Sequence, residues 1–317
     1  MIQATETLNA QEIVKATPPL SEVLDLFLRS QDVKPASRNL YSRTLRLFFS
    51  WVEKKGFPLR DLTRAEIVLY KEDLLSSGLS TLTVSSYLTA VRKFYEWAEA
   101  NRISPNIARG IKTPKRNTEF KKDPLTVEQI KALLESMNRS TLTGKRDYAM
   151  LNLLIRTGLR TIELVRANVE DIQHRSGEEI LLVQGKGRDA KDNFVILTKK
   201  SSEPIYEYLR ERGRAKVNEP LFCSESNNSK GQRLTTRTVS HVAKQNLRGI
   251  GLNSGRITAH SFRHTAGVNI LRAGGDLYTT QLFMRHSNPA TTQIYLRSIE
   301  TETRIKNAPE KLLDRIF

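Results

Sequence analysis

The residues of this sequence best equipped for chemistry lie between His260 and Tyr295. His260, Ser261, Phe262, Arg263 and His264 are consecutive. An apolar run follows, then Met284, Arg285, His286 and Ser287, and Tyr295 comes nine positions after His286. On a helix, residues three apart share a face, so His260 and Arg263 project side by side. A guanidinium can grip two phosphate oxygens at once, and a phenol can carry a phosphoryl group as a covalent intermediate. Histidines, an arginine and a tyrosine at this density point to phosphate chemistry.

Two further cations stand apart in sequence. Arg160 ends a Thr-Gly-Leu-Arg run with Glu163 three residues on, and Lys186 lies between Gly185 and Gly187. Each has an ordinary explanation when taken alone: an arginine just past a helix neutralises the helix dipole, and Gly-Lys-Gly is a common turn. His260 and His264 have the four-residue spacing of a helical zinc pair. Ser261 stands where such a motif carries glutamate, so no metal site is expected. His264 is assigned to packing or to support of the site, and His174 and His241 to the surface.

Composition narrows the partner. Lys and Arg number 51 against 34 Asp and Glu, a net charge of +17 over 317 residues. Such an excess favours a polyanion, and nucleic acid is the default. Cys223 is the only cysteine, which excludes an intramolecular disulfide and a thiolate metal cluster. The N-terminus lacks the basic start and apolar core of a signal peptide, and no uncharged apolar run approaches the ~18 residues of a membrane span. A cytoplasmic protein is expected.

The elements that must position these residues fall into two domains. Residues 1–17 read as a flexible leader. Over 18–111 four helices are predicted. Leu20, Val23, Leu24, Phe27 and Leu28 recur at helical spacing, as do Leu40, Leu45, Phe48, Phe49 and Val52. Thr63 and Glu66 form a capping box ahead of the third helix, and the fourth runs from about Ser80 to Asn101. Arg38, Arg43, Arg46, Arg92 and Lys93 lie on the polar sides of these helices. Residues 112–123, which include Lys115 and Arg116, are a basic linker able to follow a phosphate backbone. Residues 124–317 form the second domain. Thr126 caps a helix to about Met137, and Tyr148 to Thr157 is another, stopped by Gly158. A hairpin of Ile180–Val183 and Phe194–Leu197 flanks Lys186. The rest is helical over about 201–212, 236–250, 258–273, 277–285 and 290–298.

In order and spacing, Thr-Gly-Leu-Arg-x-x-Glu-Leu, Gly-Lys-Gly, His-x-x-Arg-His and the His-Ser-x-x-x-x-Thr-x-x-Tyr run from His286 to Tyr295 resemble the signature of the tyrosine recombinase, or phage integrase, family. The resemblance spans the chain, because the four-helix half is similar to that family's SAM-like core-binding domain. It implies a mainly α protein with a small antiparallel β-sheet, a core-binding domain followed by an α+β catalytic domain. The leader is then too short for the additional DNA-binding domain of some phage integrases, which favours an Xer-like or small mobile-element enzyme. One position departs from the pattern. Arg285 stands where glycine is usual before His286, so local backbone geometry or DNA contact is expected to differ there.

The resemblance also implies roles. Tyr295 attacks the scissile phosphate to give a 3′-phosphotyrosine, and Lys186 protonates the departing 5′-oxygen, with Lys191 a weaker competitor for that role. Arg160 and Arg263 clamp the non-bridging oxygens, His260 helps move the tyrosine proton and His286 donates a hydrogen bond. Glu163 and His264 support them. No cofactor is needed, since the covalent bond stores the energy. The partners implied are double-stranded DNA carrying a specific site and three further copies in a tetramer, with 307–317 docking on a neighbouring subunit. Two other functions share features with this one: a type IB topoisomerase that relaxes supercoils, and a DNA-binding regulator with a silent site. An intact Tyr295 with both arginines argues against the second.

Overall fold

The structure, a computed structural model, describes residues 19–114, 122–185, 187–213, 216–306, 308, 310–314 and 316. Lys115, Arg116 and Lys186 therefore lie outside the described residues, as does the leader expected at 1–17. The chain divides into two compact units, 1–117 and 118–317.

The first unit is built from α1 (Leu20–Ser30), α2 (Pro35–Lys54), α3 (Arg64–Ser76) and α4 (Thr81–Ala100). Proline at the first position of α2 loses no needed N–H, because that donor would be unpaired anyway. The capping box ahead of α3 is formed: Thr63 N donates to Glu66 Oε2 at 2.6 Å and Ala65 N to Thr63 Oγ1 at 3.2 Å. The core is aromatic. Phe27 meets Phe94 edge-on at 5.5 Å, and Phe48 meets Tyr70 edge-on at 5.0 Å, which ties α1 to α4 and α2 to α3. Trp51 Nε1 donates to Asp73 Oδ2 at 2.9 Å, so the polar edge of the indole is satisfied as its body is buried.

In the second unit, α5 (Val127–Ser136) starts from a Thr126–Gln129 capping box, and α6 (Leu142–Thr157) is the central helix. Met150, Leu151, Leu153 and Leu154 are all fully buried, as expected of a helix surrounded by protein. A short α7 (Thr161–Arg166) leads to a three-stranded antiparallel sheet in the order β1 (Ile172–Arg175), β2 (Glu178–Val183), β3 (Asn193–Ile196). Ile172 pairs with Leu181 and Val183 with Asn193. Then come α8 (Lys199–Arg212), α9 (Thr236–Gly249), α10 (Ala259–Arg272), α11 (Leu277–Met284), α12 (Pro289–Lys306) and α13 (Glu310–Leu313). Asn307, Pro309, Arg315 and Phe317 lie outside the described residues, so the tail expected over 307–317 is described only in part.

The structure differs from the sequence expectation in four elements. α6 begins six residues earlier than the expected Tyr148, because buried Arg146 is tied to Cys223 O at 3.0 Å and to Asp147 Oδ1 at 2.7 Å. No apolar period marks that turn. β1 was not expected, since only Ile172 in it is partly buried and an exposed edge strand carries no alternation; positive φ at Ser176 and Gly177 turns it into β2. α7 is too short to show a period. α12 extends to Lys306, eight residues past the expected end.

Gly158 ends α6 in the left-handed conformation, φ 59° and ψ 25°, with its N–H on Leu154 O at 3.1 Å. A Cβ there would approach Phe283 Cε1 to 3.0 Å and Met284 Sδ to 3.3 Å. Strain and crowding act together, so Gly158→Ala is expected to cost about 1–3 kcal/mol. An unchanged thermal midpoint for this variant would contradict that.

Candidate active site

The turn after Gly158 delivers Arg160. Its backbone N–H donates to Glu163 Oε2 at 2.8 Å, and its Nη1 to Glu163 Oε1 at 2.6 Å. Glu163 is almost wholly buried, at 1% exposure, while the Arg160 side chain is 28% exposed. The anchor is therefore inside and the guanidinium reaches the rim. α10 supplies the next pair. Arg263 points inward, donating from Nη1 to Gly158 O and from Nη2 to Met284 O. His260, one turn earlier, stays exposed. Arg160, Thr161, Ser240, Thr258, His260 and Arg263 line a single shallow pocket.

The turn between α11 and α12 carries His286, and α12 carries Tyr295. His286 Nδ1 lies 2.9 Å from Thr292 Oγ1, and Tyr295 follows three residues later on the same helix face. Tyr295 is buried with Val268 and Met284. Its ring lies 4.9 Å from that of His264 and 6.0 Å from that of His286, nearly parallel to the latter. Gly267 on α10 allows this approach, since a Cβ there would come within 3.2 Å of Tyr295 Cε1. Tyr295 is not among the residues lining the pocket of Arg160, His260 and Arg263.

Burial and mutual repulsion set the electrostatics. Burial, then Arg160 and Arg285, presses the Arg263 guanidinium down to about 9, still charged at neutral pH. His286 is pushed down to about 3 by burial and then by Arg263, Arg160 and Arg285. His264 falls to about 4 through burial and the neighbouring His260. His260 is itself lowered, first by lost hydration and then by Arg263, Arg160 and Lys122. Burial raises the Tyr295 hydroxyl, with Arg263 and Arg160 opposing. For Glu163 burial acts upward, but Arg285, the Arg160 N–H and the Arg160 guanidinium outweigh it and the net shift is downward.

These shifts predict acid sensitivity. His264 and His286 protonate near 6.5 when unfolded but only near 4 and 3 when folded. Between those values the unfolded chain binds more protons, so stability rises with pH. The contribution is fully present above about 6.5 and is lost as pH falls, at about 1.4 kcal/mol per pH unit for each group within its window. The denaturant midpoint is expected to drop between pH 7 and pH 5; equal midpoints would contradict the buried neutral histidines.

Lys186 lies outside the described residues, but its flanks are held. Arg166 Nη1 donates to Gly185 O at 3.1 Å, and Lys191 Nζ binds both oxygens of buried Asp171 at 2.8 and 2.6 Å. Lys191, the alternative lysine, is thereby paired to Asp171 and is only partly buried. Arg43 and Arg46 line a shallow groove on α2 with Asn39, Ser42 and Leu47. Arg92 and Lys93 are exposed on α4, Lys93 paired to Glu96 at 2.8 Å. His174 and His241 are exposed. Among the described residues no three His, Cys, Asp or Glu side chains gather as a metal ligand set.

Sequence reasoning assigned no role to two partners. Thr292, the threonine of the run that ends in Tyr295, orients His286. At Arg285 the backbone or a DNA contact was expected to differ; the residue adopts φ 52° and ψ 47°, the left-handed region open to glycine, and its side chain reaches Glu163 Oε2 at 3.1 Å. Nothing in the sequence signals that pairing across 122 positions.

Comparison with known proteins gives a consistent picture. Residues 124–302 match the model of the phage integrase family, and residues 20–104 that of the phage integrase N-terminal SAM-like domain. Tyrosine recombinase XerC of Chlamydia trachomatis serovar L2 is 35% identical over 234 residues, covering 74% of this chain and 72% of that protein. Tyrosine recombinase XerD of Listeria monocytogenes serotype 4b is 31% identical over 275 residues, covering 84% and 89%. The fold is similar to that of the XerH site-specific recombinase bound to palindromic difH substrate in a post-cleavage complex. There the TM-score is 0.73 at 20% identity, over 92% of this chain and 84% of that one. With both halves matched in order and the relatives matched over most of their length, the chain belongs to the phage integrase family of tyrosine recombinases.

Proposed function

We propose that this protein is a site-specific DNA recombinase that cleaves and rejoins double-stranded DNA through a 3′-phosphotyrosine at Tyr295. The observation that carries the reading is the grouping of Arg160, His260 and Arg263 around one pocket, with Tyr295 packed on the same helix, α10, beside His264 and His286. Arg160 and Arg263 bind the non-bridging oxygens of the scissile phosphate, where charge gathers in the transition state. Tyr295 Oη attacks phosphorus and gives up its proton to His260, whose lowered pKa keeps it neutral and able to accept. The bond to the 5′-oxygen breaks, and Lys186 donates a proton to that oxygen. In the second step a 5′-hydroxyl of a partner strand attacks the phosphotyrosine, its proton passes to Lys186, and Tyr295 is released with its proton restored. His286, held by Thr292, donates to the phosphate from Nε2.

Because Tyr295 is only 5% exposed, its hydroxyl has to leave its packing to meet DNA. Arg43, Arg46, Arg92 and Lys93, with Lys115 and Arg116 of the linker, contact the phosphate backbone, which makes binding salt-dependent. Four copies assemble on two duplexes, linked through the segment 307–317, in the cytoplasm where the DNA is.

A randomised pool of nicked duplexes, incubated with the protein in EDTA and then denatured, tests this. Covalently retained DNA is expected to converge on one sequence. Retention without convergence would indicate a supercoil-relaxing enzyme, and no retained DNA would overturn the metal-free tyrosine mechanism.

A further inference from the structure

Arg285 occupies a left-handed backbone position that glycine adopts freely and that strains other residues. The residue also buries its charge. Its side chain is 7% exposed, and its Nε–H finds no acceptor among the described residues. Both costs must be offset by what the guanidinium touches. Nη1 donates to Phe283 O at 2.8 Å and reaches Thr157 O at 3.5 Å; Nη2 donates to Gly158 O at 3.2 Å and Glu163 Oε2 at 3.1 Å. These contacts join the two turns that carry site residues, the one before Arg160 and the one before His286.

The carboxylate of Glu163 is thereby divided. Oε1 accepts from Arg160 Nη1, while Oε2 accepts from the Arg160 backbone N–H and from Arg285 Nη2. Carboxylate and guanidinium favour two-pronged pairing. With glycine at 285, the buried Glu163 charge would keep only Arg160 of these two guanidiniums and would draw it inward, away from the pocket. With arginine there, the site also carries one more positive charge beside Arg263 and His286.

We propose that Arg285 is a positioning residue: it holds one oxygen of Glu163 so that Arg160 keeps its outer donors free for the scissile phosphate. This rests on the recombinase reading above. The test measures single-turnover covalent-complex formation, DNA affinity and thermal midpoint on a nicked duplex recovered from the randomised pool, for R285G, R285K, E163Q and the R285G/E163Q double variant. R285G is expected to cleave about 10- to 100-fold more slowly with affinity within about twofold of wild type. R285K should fall between, since it keeps the charge without the fork. E163Q should recover about fivefold or more in the R285G background, because no carboxylate is left to withdraw Arg160. Cleavage by R285G at the wild-type rate, or defects that simply multiply in the double variant, would overturn the proposal. Should R285G fail to fold, R285K with R285K/E163Q completes the same cycle. Failure of the wild-type protein to form any covalent complex would instead remove the recombinase reading on which the proposal stands.

Discussion

Tyr295→Phe is expected to abolish covalent capture of DNA, lowering strand cleavage by at least about 10⁴-fold, while DNA affinity and thermal midpoint stay close to wild type. On the proposed mechanism the Tyr295 hydroxyl is the nucleophile, and phenylalanine has no oxygen to replace it. The ring itself is structural. It packs with Val268 and Met284 and lies against His264 and His286, and phenylalanine preserves all of that contact. Only the hydroxyl is lost, at a cost of about 1 kcal/mol. Rapid-quench cleavage assays with parallel calorimetry separate the two quantities. Cleavage by the variant within tenfold of wild type would show that another group is the nucleophile.

The two arginines should part company when each is replaced by alanine. Both variants are expected to lose roughly 10²–10³-fold or more in cleavage, since in the proposed mechanism each arginine binds the scissile phosphate. Their stabilities should differ. Arg263 is 2% exposed and holds the carbonyls of Gly158 and Met284, so its removal leaves a cavity, strips Met284 O of this donor and loosens the join between α6 and α11. The cavity and the lost charge-assisted hydrogen bonds together are worth about 3–5 kcal/mol. Arg160 sits at the rim, and Glu163 keeps Arg285 and the backbone N–H of residue 160 when it goes. The loss there should be near 1 kcal/mol. Denaturant titrations decide the matter, and equal losses would mean that Arg263 is no more structural than Arg160.

How much of this was legible in the sequence varies with the physics of each element. The capping box at Thr63 is read from two side chains three residues apart and it forms; Thr126 caps its helix as expected, with Gln129 completing a box that the sequence reading did not name. The core helices announce themselves by apolar period. β1 does not, because an edge strand with one half-buried residue has nothing to alternate, and the first turn of α6 hides behind the charge of buried Arg146. At the site, spacing placed His260 beside Arg263, and Tyr295 was singled out by resemblance to the family signature. Neither could reveal that Arg285 reaches Glu163, since that contact exists only once the Gly158 turn is packed on Phe283 and Met284.

The central claim is that Tyr295 carries DNA through its 3′-phosphate. Covalent complexes trapped on the recovered nicked duplex, digested with nuclease and trypsin and mapped by mass spectrometry, address it directly. The account predicts a nucleotide 3′-phosphate on Tyr295 within the peptide His286–Arg297, with a free 5′-hydroxyl on the released strand. An adduct on any other residue, or a 5′-phosphate linkage, would contradict it.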